Sequence, residues 1–184
     1  MKKTTNMISL FTKIALMFTI LLLVSCYTEP SLQRYFVDSS ENKVFQNISL
    51  SPQSFIKNAE SLSEENRAQL ENITKLNVLM LKNDSKNDVY ETELNKLNKI
   101  LKQEQYKPLL NAGEPSKSME VLYVGEGKQI KEIIFFGNDK STGFVVARVL
   151  GNDLSPENIY KIMLLGNQLD MSELSKIIGD FTQG

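Results

Sequence analysis

The sequence predicts an α+β fold: a single domain with a mainly antiparallel sheet, a meander in its C-terminal half, and helices packed on it. Three observations lead there. Up to about residue 105, apolar residues recur mostly at helical spacing around two short apolar runs, and from Tyr106 onward the pattern turns extended. Four segments rich in β-branched and aromatic residues then follow in succession, separated by clusters of Gly, Asn, Asp and Ser, as strands joined by short turns are. Third, setting a 25-residue leader aside from the 184 residues leaves 159, the size of one typical domain with one core.

Taken in order, Ser31 is placed to cap a helix in which Leu32, Tyr35 and Phe36 share a face. The polar stretch from Ser39 to Lys43 is expected to lengthen the reach of the preceding chain. Val44 to Leu50 reads as a short strand, and Ser51-Pro52 as a cap with proline at the first helical position, followed by Phe55, Ile56 and Ala59 on the core side. Ser63 caps a helix from Glu64 to about Asn72, with acids in the first turn where the helix dipole favours them. Leu76 to Leu81 is nearly continuous apolar, the signature of a strand covered on both faces.

The clearest helix follows. Asp88 with Glu91 forms a capping box, and Val89, Tyr90, Leu94, Leu97 and Leu101 make one stripe opposite Glu91, Lys96, Lys99 and Lys102. The meander consists of Tyr106 to Leu110, Met119 to Val124, Ile130 to Phe136 and Gly143 to Leu150. Gly125-Glu126-Gly127-Lys128 and Gly137-Asn138-Asp139-Lys140 are its hairpin turns. Ser155-Pro156 opens a helix carrying Ile159, Met163 and Leu164 and ended by Gly166, and a last helix runs from Asp170 to Ile178 with Asp170 and Glu173 as its capping box. Phe135 and Phe136 must point to opposite faces of the sheet. One of them therefore leaves the face covered by the main helices, and the closing helices are expected to cover it.

The N-terminus carries an address. Lys2 and Lys3 precede an apolar run from Ile14 to Val24, broken only by Thr19, and Leu23-Val24-Ser25-Cys26 ends it with a small residue before the only cysteine. The run suits a secretory h-region and falls short of the roughly 20 residues that span a bilayer. This pattern resembles a bacterial lipoprotein signal peptide. The expected organisation is a leader over residues 1–25, cleavage between Ser25 and Cys26, a lipidated tether over 26–30, and the domain over 31–184. One acyl chain, at about 0.8 kcal/mol per buried methylene, holds a membrane only marginally, whereas the diacylglycerol such cysteines carry holds it stably.

Composition narrows the function. Three of the 21 basic residues, Lys2, Lys3 and Lys13, fall in the leader, which has no acid, so the remainder carries 18 basic against 22 acidic residues, a net charge of −4. Nucleic acid demands neutralised phosphates, so no nucleic-acid partner is expected for such a surface. There is no histidine. Ser-His-Asp and Cys-His catalysis are therefore excluded, and the commonest zinc, copper and non-haem iron sites lose their main ligand. With Cys26 acylated, disulfides and thiolate chemistry fall as well. No cofactor and no metal site is expected.

Several short patterns imitate chemistry. Ser54 with Lys57 matches Ser-x-x-Lys and Ser85-Lys86-Asn87 matches Ser-x-Asn, both used where lysine activates a serine nucleophile. The third signature of that set fails, because Lys140-Ser141-Thr142-Gly143 contains an extra residue that shifts the strand register. Gly125-Glu126-Gly127 precedes a strand where a phosphate loop needs a helix. Asp84 to Asp88 has Lys86 at a ligand position and lacks the glycine of a calcium loop. Glu64 with Glu65, and Asp139 with Asp153, are carboxylate pairs that nothing in the sequence sets across a cleft. Asn47, Asn72 and Asn83 head glycosylation patterns that matter only in a eukaryotic secretory protein.

The lipidated Cys26, the segment ending Leu-Asn-Val-Leu-Met-Leu at Leu81, the helix leading into Tyr106-Lys107-Pro108-Leu109-Leu110, and the strands Lys131 to Phe136 and Phe144 to Val149 together resemble the Bacteroidetes lipoproteins grouped as domain of unknown function 4252. The likeness covers roughly residues 31 to 165. It implies an anchored envelope protein of α+β fold and carries over no site residue. The expected function is a non-catalytic interaction or regulatory module, not an enzyme, held by its lipid in the bacterial cell envelope at the periplasmic face of the outer membrane, with another envelope protein as partner. The alternatives are a cell-wall or glycan-acting enzyme using carboxylate or Ser-Lys chemistry, and a carrier of an apolar ligand.

Overall fold

The computed structural model describes residues 30–51, 63–84, 88–126 and 129–155, together with Lys176 and Gly179. The chain divides into two units at Pro30 and Ser31, and nearly all described residues belong to the second. The leader, Ser25 and Cys26, the helices expected after Ser51 and after Ser155, and the helix expected over 170–178 lie outside the described residues, Lys176 and Gly179 excepted.

Among the described residues, the bounded elements run in the order α1 (Leu32–Ser40), β1 (Phe45–Leu50), α2 (Glu64–Glu71), β2 (Ile73–Lys82), α3 (Val89–Leu101), β3 (Lys107–Glu114), β4 (Lys117–Glu126), β5 (Gln129–Asp139) and β6 (Gly143–Leu154). All six strands form one antiparallel sheet in the order β1-β2-β6-β5-β4-β3. The last four make the expected meander, and β2 closes onto the outer side of β6, so β6 lies inside the sheet. This is the α+β architecture that the change of periodicity at Tyr106 indicates.

α1 and α3 cover one face. Leu32, Tyr35 and Phe36 from α1 and Tyr90, Leu94, Leu97, Ile100 and Leu101 from α3 pack on Leu79 and Leu81 of β2, Phe144 and Val146 of β6, Ile134 and Phe136 of β5 and Leu122 of β4. Each large apolar side chain withdrawn from water contributes roughly 1.5–3 kcal/mol. Phe144 is the centre of this layer, its ring centroid 6.2 Å from Tyr90, 6.3 Å from Phe136 and 6.5 Å from Phe45. The opposite phase of the same strands, Val78 and Met80 of β2, Val145, Ala147 and Val149 of β6, Ile133 and Phe135 of β5 and Val121 and Tyr123 of β4, faces the other way. There α2 contributes Leu70, packed with Ile73, Leu154 and Ile130 at one end.

The two ends of α1 are fastened differently. At the start, Ser31 Oγ accepts from the Arg34 amide at 3.2 Å, as its capping position predicts. The Leu32 amide donates to the phenol oxygen of Tyr106 at 3.0 Å, so a residue 74 positions away satisfies another of the first turn's free donors. At the end, Ser39 and Ser40 complete the helix and Ser39 is buried, so the stretch that begins there does not simply extend the tether. A hydroxyl can return its hydrogen bond to the helix's own turn, which lets serine sit in a last turn; Ser40 Oγ donates to the Val37 carbonyl at 2.7 Å.

Other expectations need correction. The Asp88 side chain makes no capping bond to α3, so the box with Glu91 is absent; Asp88 at φ −72° and ψ 9° does not have the extended backbone that aims a capping oxygen at the first turn. Gly137 and Asn138 are strand, not turn. β5 continues to Asp139 and the chain reverses over residues 140–142, because Asp139 Oδ1 accepts from both the amide and the hydroxyl of Ser141, at 2.9 and 2.5 Å, and fixes the turn three residues later than the glycine suggests. β2 starts three residues earlier than expected, β6 ends four later, and Tyr106 precedes β3 as a core residue.

Candidate interaction surface

At the corner where the β3–β4 and β5–β6 hairpins turn, an open trough of about 550 Å³ is lined by Ala112, Met119, Gly137, Asn138, Gly143 and Val145, with Lys117 and Asp139 among the residues at its rim. Register explains its shape. Ala112 pairs with Met119, Met119 with Gly137, Gly137 with Val145 and Val145 with Met80, so one row crosses β3, β4, β5, β6 and β2 on the face away from α1 and α3. In the middle of that row stands a residue without a side chain. A methyl group placed on Gly137 would meet nothing within 4 Å. The missing side chain makes the hollow, between Met119, which is 48% exposed, and half-buried Val145.

The corner is held rigidly. The Lys140 amide donates to the Ser116 carbonyl at 2.8 Å, joining the two turns, and the Asn83 amide donates to the Thr142 carbonyl at 2.9 Å. Asn83 Nδ2 also donates to the Lys140 carbonyl at 2.7 Å. Lys117 Nζ lies 3.1 Å from Asp139 Oδ2. Hydrogen bonds from the Ser141 hydroxyl and amide, with help from Lys117, hold the Asp139 carboxyl at about 2. Beneath the trough, the Tyr90 hydroxyl donates to Asn138 Oδ1 at 2.6 Å and ties α3 to β5 at the trough's edge. Gly143 closes one end with φ +133°, and a Cβ there would stand 2.0 Å from the Leu81 carbonyl oxygen, so only glycine fits the register.

A second hollow, about 530 Å³, lies at the other end of the sheet among Glu104, Gln105, Lys107, Glu126, Gln129 and Lys131. Its lining is of mixed charge. Lys107 Nζ is already engaged, donating to the Gly125 carbonyl at 3.1 Å and standing 6.0 Å from the Tyr123 ring centroid.

On the helix face the strongest polar feature is a clamp. Arg148 of β6 donates from Nε and Nη2 to the two carboxylate oxygens of Glu132 on β5, at 2.6 and 2.8 Å, and from Nη1 to Gln33 of α1. The two charged side chains are each 10% exposed. The clamp was legible in principle: Glu132 shares its strand phase with Ile134 and Phe136, and a charge on a core-facing phase demands a partner. Nearby Tyr35 Oη is buried with no hydrogen-bond partner among the described residues; the Glu93 carboxylate and Ser39 hydroxyl act on it without reaching bonding geometry.

The residues that imitate catalytic patterns do not assemble. Asp139 begins the β5–β6 turn while Asp153 lies near the far end of β6, ten positions beyond Gly143, about 33 Å along an extended strand. Ser141 and Thr142 belong to the turn. Asp84 and Asp88 are exposed on either side of residues 85–87, which fall outside the described set with Ser54 and Lys57. Among the described residues no group of three carboxylates or thiols is placed to hold a metal, and no helix is long and apolar enough to cross a membrane. Phe136 is buried under the helices and Phe135 turns to the trough's face, as alternation requires.

No curated protein and no solved structure matches the chain. The family model described as Domain of unknown function (DUF4252) matches residues 35–162. That span contains α1 from Tyr35 onward, all six strands, every residue of the trough, and Glu132 and Arg148 of the clamp, and the chain belongs to this family.

Proposed function

We propose that the protein is a lipid-anchored bacterial envelope protein whose domain is a non-catalytic interaction or regulatory module, taking an apolar group of an envelope partner into the trough at Gly137. The anchor part of this reading draws on Lys2, Lys3, the apolar run to Val24 and the Ser25-Cys26 junction. The interaction part draws on one observation: a row of sheet residues broken at Gly137 by an empty place, on a corner braced by hydrogen bonds that join its two hairpin turns to each other and to Asn83. A preformed hollow with an apolar lining and a few fixed polar atoms is the usual form of a binding site. Openness favours docking over carriage, since a carrier of an apolar ligand would enclose it. Against an enzyme stand the missing histidine and the separation of Asp139 from Asp153.

The test places a photo-crosslinking residue at Met119 in the full-length protein in cells. The expected result is a discrete adduct that disappears with Gly137→Leu, which fills the trough, while the melting temperature stays within a few degrees. An adduct unaffected by Gly137→Leu refutes docking in the trough. Labelling the same cells with a clickable fatty acid should mark the native chain and leave Cys26→Ala unmarked; equal label on both refutes the anchor.

A further inference from the structure

One edge of the sheet is open to solvent and partly apolar. Among the described residues β3 pairs with β4 and with no other strand, and seven of its eight residues are exposed. Leu109 and Leu110 are 41% and 47% exposed. With Met119 on β4 they make three of the five exposed large apolar residues among those described. An edge strand offers a row of unpaired amide and carbonyl groups to any strand laid beside it, and exposed apolar side chains strengthen that tendency. The other edge, β1, exposes polar Gln46, Asn47 and Ser49.

We propose that β3 pairs with β3 of a second copy of this chain, antiparallel and with Asn111 on the two-fold axis, so that two sheets join into one. The inference stands apart from the function proposed above. Its warrant is self-complementarity. The register with β4 shifts between Pro108 and Leu110, so Leu109 is an extra residue and the alternation restarts after it. Lys107, Leu110, Ala112 and Glu114 therefore share the face of their partners Tyr123, Val121, Met119 and Lys117, which is the trough's face. Residues opposite one another in an antiparallel pair lie on one face. With Asn111 opposite its own copy, Leu110 lies opposite Ala112 of the second copy, and past the extra residue Lys107 lies opposite Glu114. Each match occurs twice. A large side chain meets a small one, a cation meets an anion, and the two Asn111 side chains, each donor and acceptor, meet on the axis. Lys107 already donates to the Gly125 carbonyl, and its ammonium has two donors left.

The neighbouring registers that keep the faces, centred on Leu110 or on Ala112, set Lys107 opposite Ala112 or Glu114 opposite Leu110 and pair no charges. Pro108, which has no amide hydrogen, ends the pairable stretch beside the extra residue, so the ladder is short. It is also closed. β3 on β3 uses the same edge of both copies, whereas β3 on β1 of the next copy would repeat into a filament. Because the axis is perpendicular to the sheet, both troughs open on the same face of the joined sheet, and Leu110 of each copy extends the other's row beyond Ala112.

The test uses the full-length chain with Cys26→Ser in mild detergent, so that an introduced cysteine is the only thiol. On oxidation, Asn111→Cys should give a covalent dimer, since residues facing each other across an antiparallel pair have Cα atoms about 4.5–5.5 Å apart, within disulfide reach. Glu114→Cys should give none, because its own copy lies about 20 Å away along the strand. Equal yields at the two positions, or no dimer with Asn111→Cys, overturn the proposal. Without introduced thiols, analytical ultracentrifugation at high micromolar concentration should find two chains per particle. Glu114→Lys, at an exposed position, sets like charges against each other at both ends of the interface and should weaken the dimer about tenfold. Adding Lys107→Glu should restore it. A monomeric parent, a dimer indifferent to Glu114→Lys, or a loss that Lys107→Glu does not restore overturns the pairing even if a cysteine variant fails to fold.

Discussion

Removing the Glu132 carboxylate should unlock the first helix from the sheet. In Glu132→Ala the guanidinium of Arg148 keeps Gln33 as its only partner from the clamp, while its side chain stays 90% out of water. Breaking one member of a buried ion pair costs about 3–5 kcal/mol, chiefly because the other charge is left uncompensated. The lower end applies here, since one hydrogen bond survives and a tenth of each side chain touches solvent. A loss of about 3 kcal/mol corresponds to roughly 150-fold in the folding equilibrium and, for a domain of this size, to about 6–12 °C in melting temperature. Arg148→Met should cost a similar amount. The double variant Glu132→Leu with Arg148→Met, in which neither charge remains, should return to within about 1 kcal/mol of the parent, because a buried pair exchanged for apolar residues of similar volume is often neutral. Urea unfolding of the leaderless chain at neutral pH, followed by far-UV circular dichroism, measures all three. Single variants that each lose less than about 1 kcal/mol would refute the reasoning, placing the pair among surface ion pairs of little worth.

Acid should weaken the trough's corner through Asp139. Its folded pKa is lowered to about 2 from an ordinary 3.8, so its contribution is full above 3.8 and is lost as pH falls through about 2; Asp139→Asn should flatten the stability profile in that window, measured by thermal melts, and an unchanged profile sinks the assignment. Alkali acts on the phenols. Burial, above all, raises the pKa of Tyr35, Tyr90 and Tyr106 above the ordinary 10, so the stability tied to their neutral forms is full below pH 10 and is lost as pH rises through the raised values. In an ultraviolet titration of the folded chain these three should ionise later than free tyrosine, and six tyrosines titrating together near pH 10 would contradict the packing of α1 and α3.

Much of the fold was legible in the sequence because it rests on local periodicity. The stripe from Tyr90 to Leu101 needs only the 3.6-residue repeat to be recognised, and Ser31 at the head of α1 needs only a cap's chemistry. Where local signals compete, reading failed. Gly137-Asn138-Asp139 carries turn residues in a row, yet the ladder with β4 and β6 runs through them and the reversal falls after Asp139, since hydrogen bonds to Ser141 outweigh propensity. Asp88 has the right neighbours for a capping box and the wrong backbone angles. The trough was hidden for a related reason: Gly137 matters through its cross-strand neighbours Met119 and Val145, and no spacing along the chain reveals a register.

By itself the sequence determined the class of fold, the helix that carries the main apolar stripe, and the exclusion of histidine chemistry. These follow from composition and from contacts within a few residues. Only the tertiary structure decided that Glu132 and Arg148 clamp Gln33, that Tyr106 caps a helix 74 residues earlier, and that Ala112, Met119, Gly137 and Val145 form one row with an empty place in it. Each of those depends on which strand lies beside which and in what register, a choice made by burying both faces of the sheet at once.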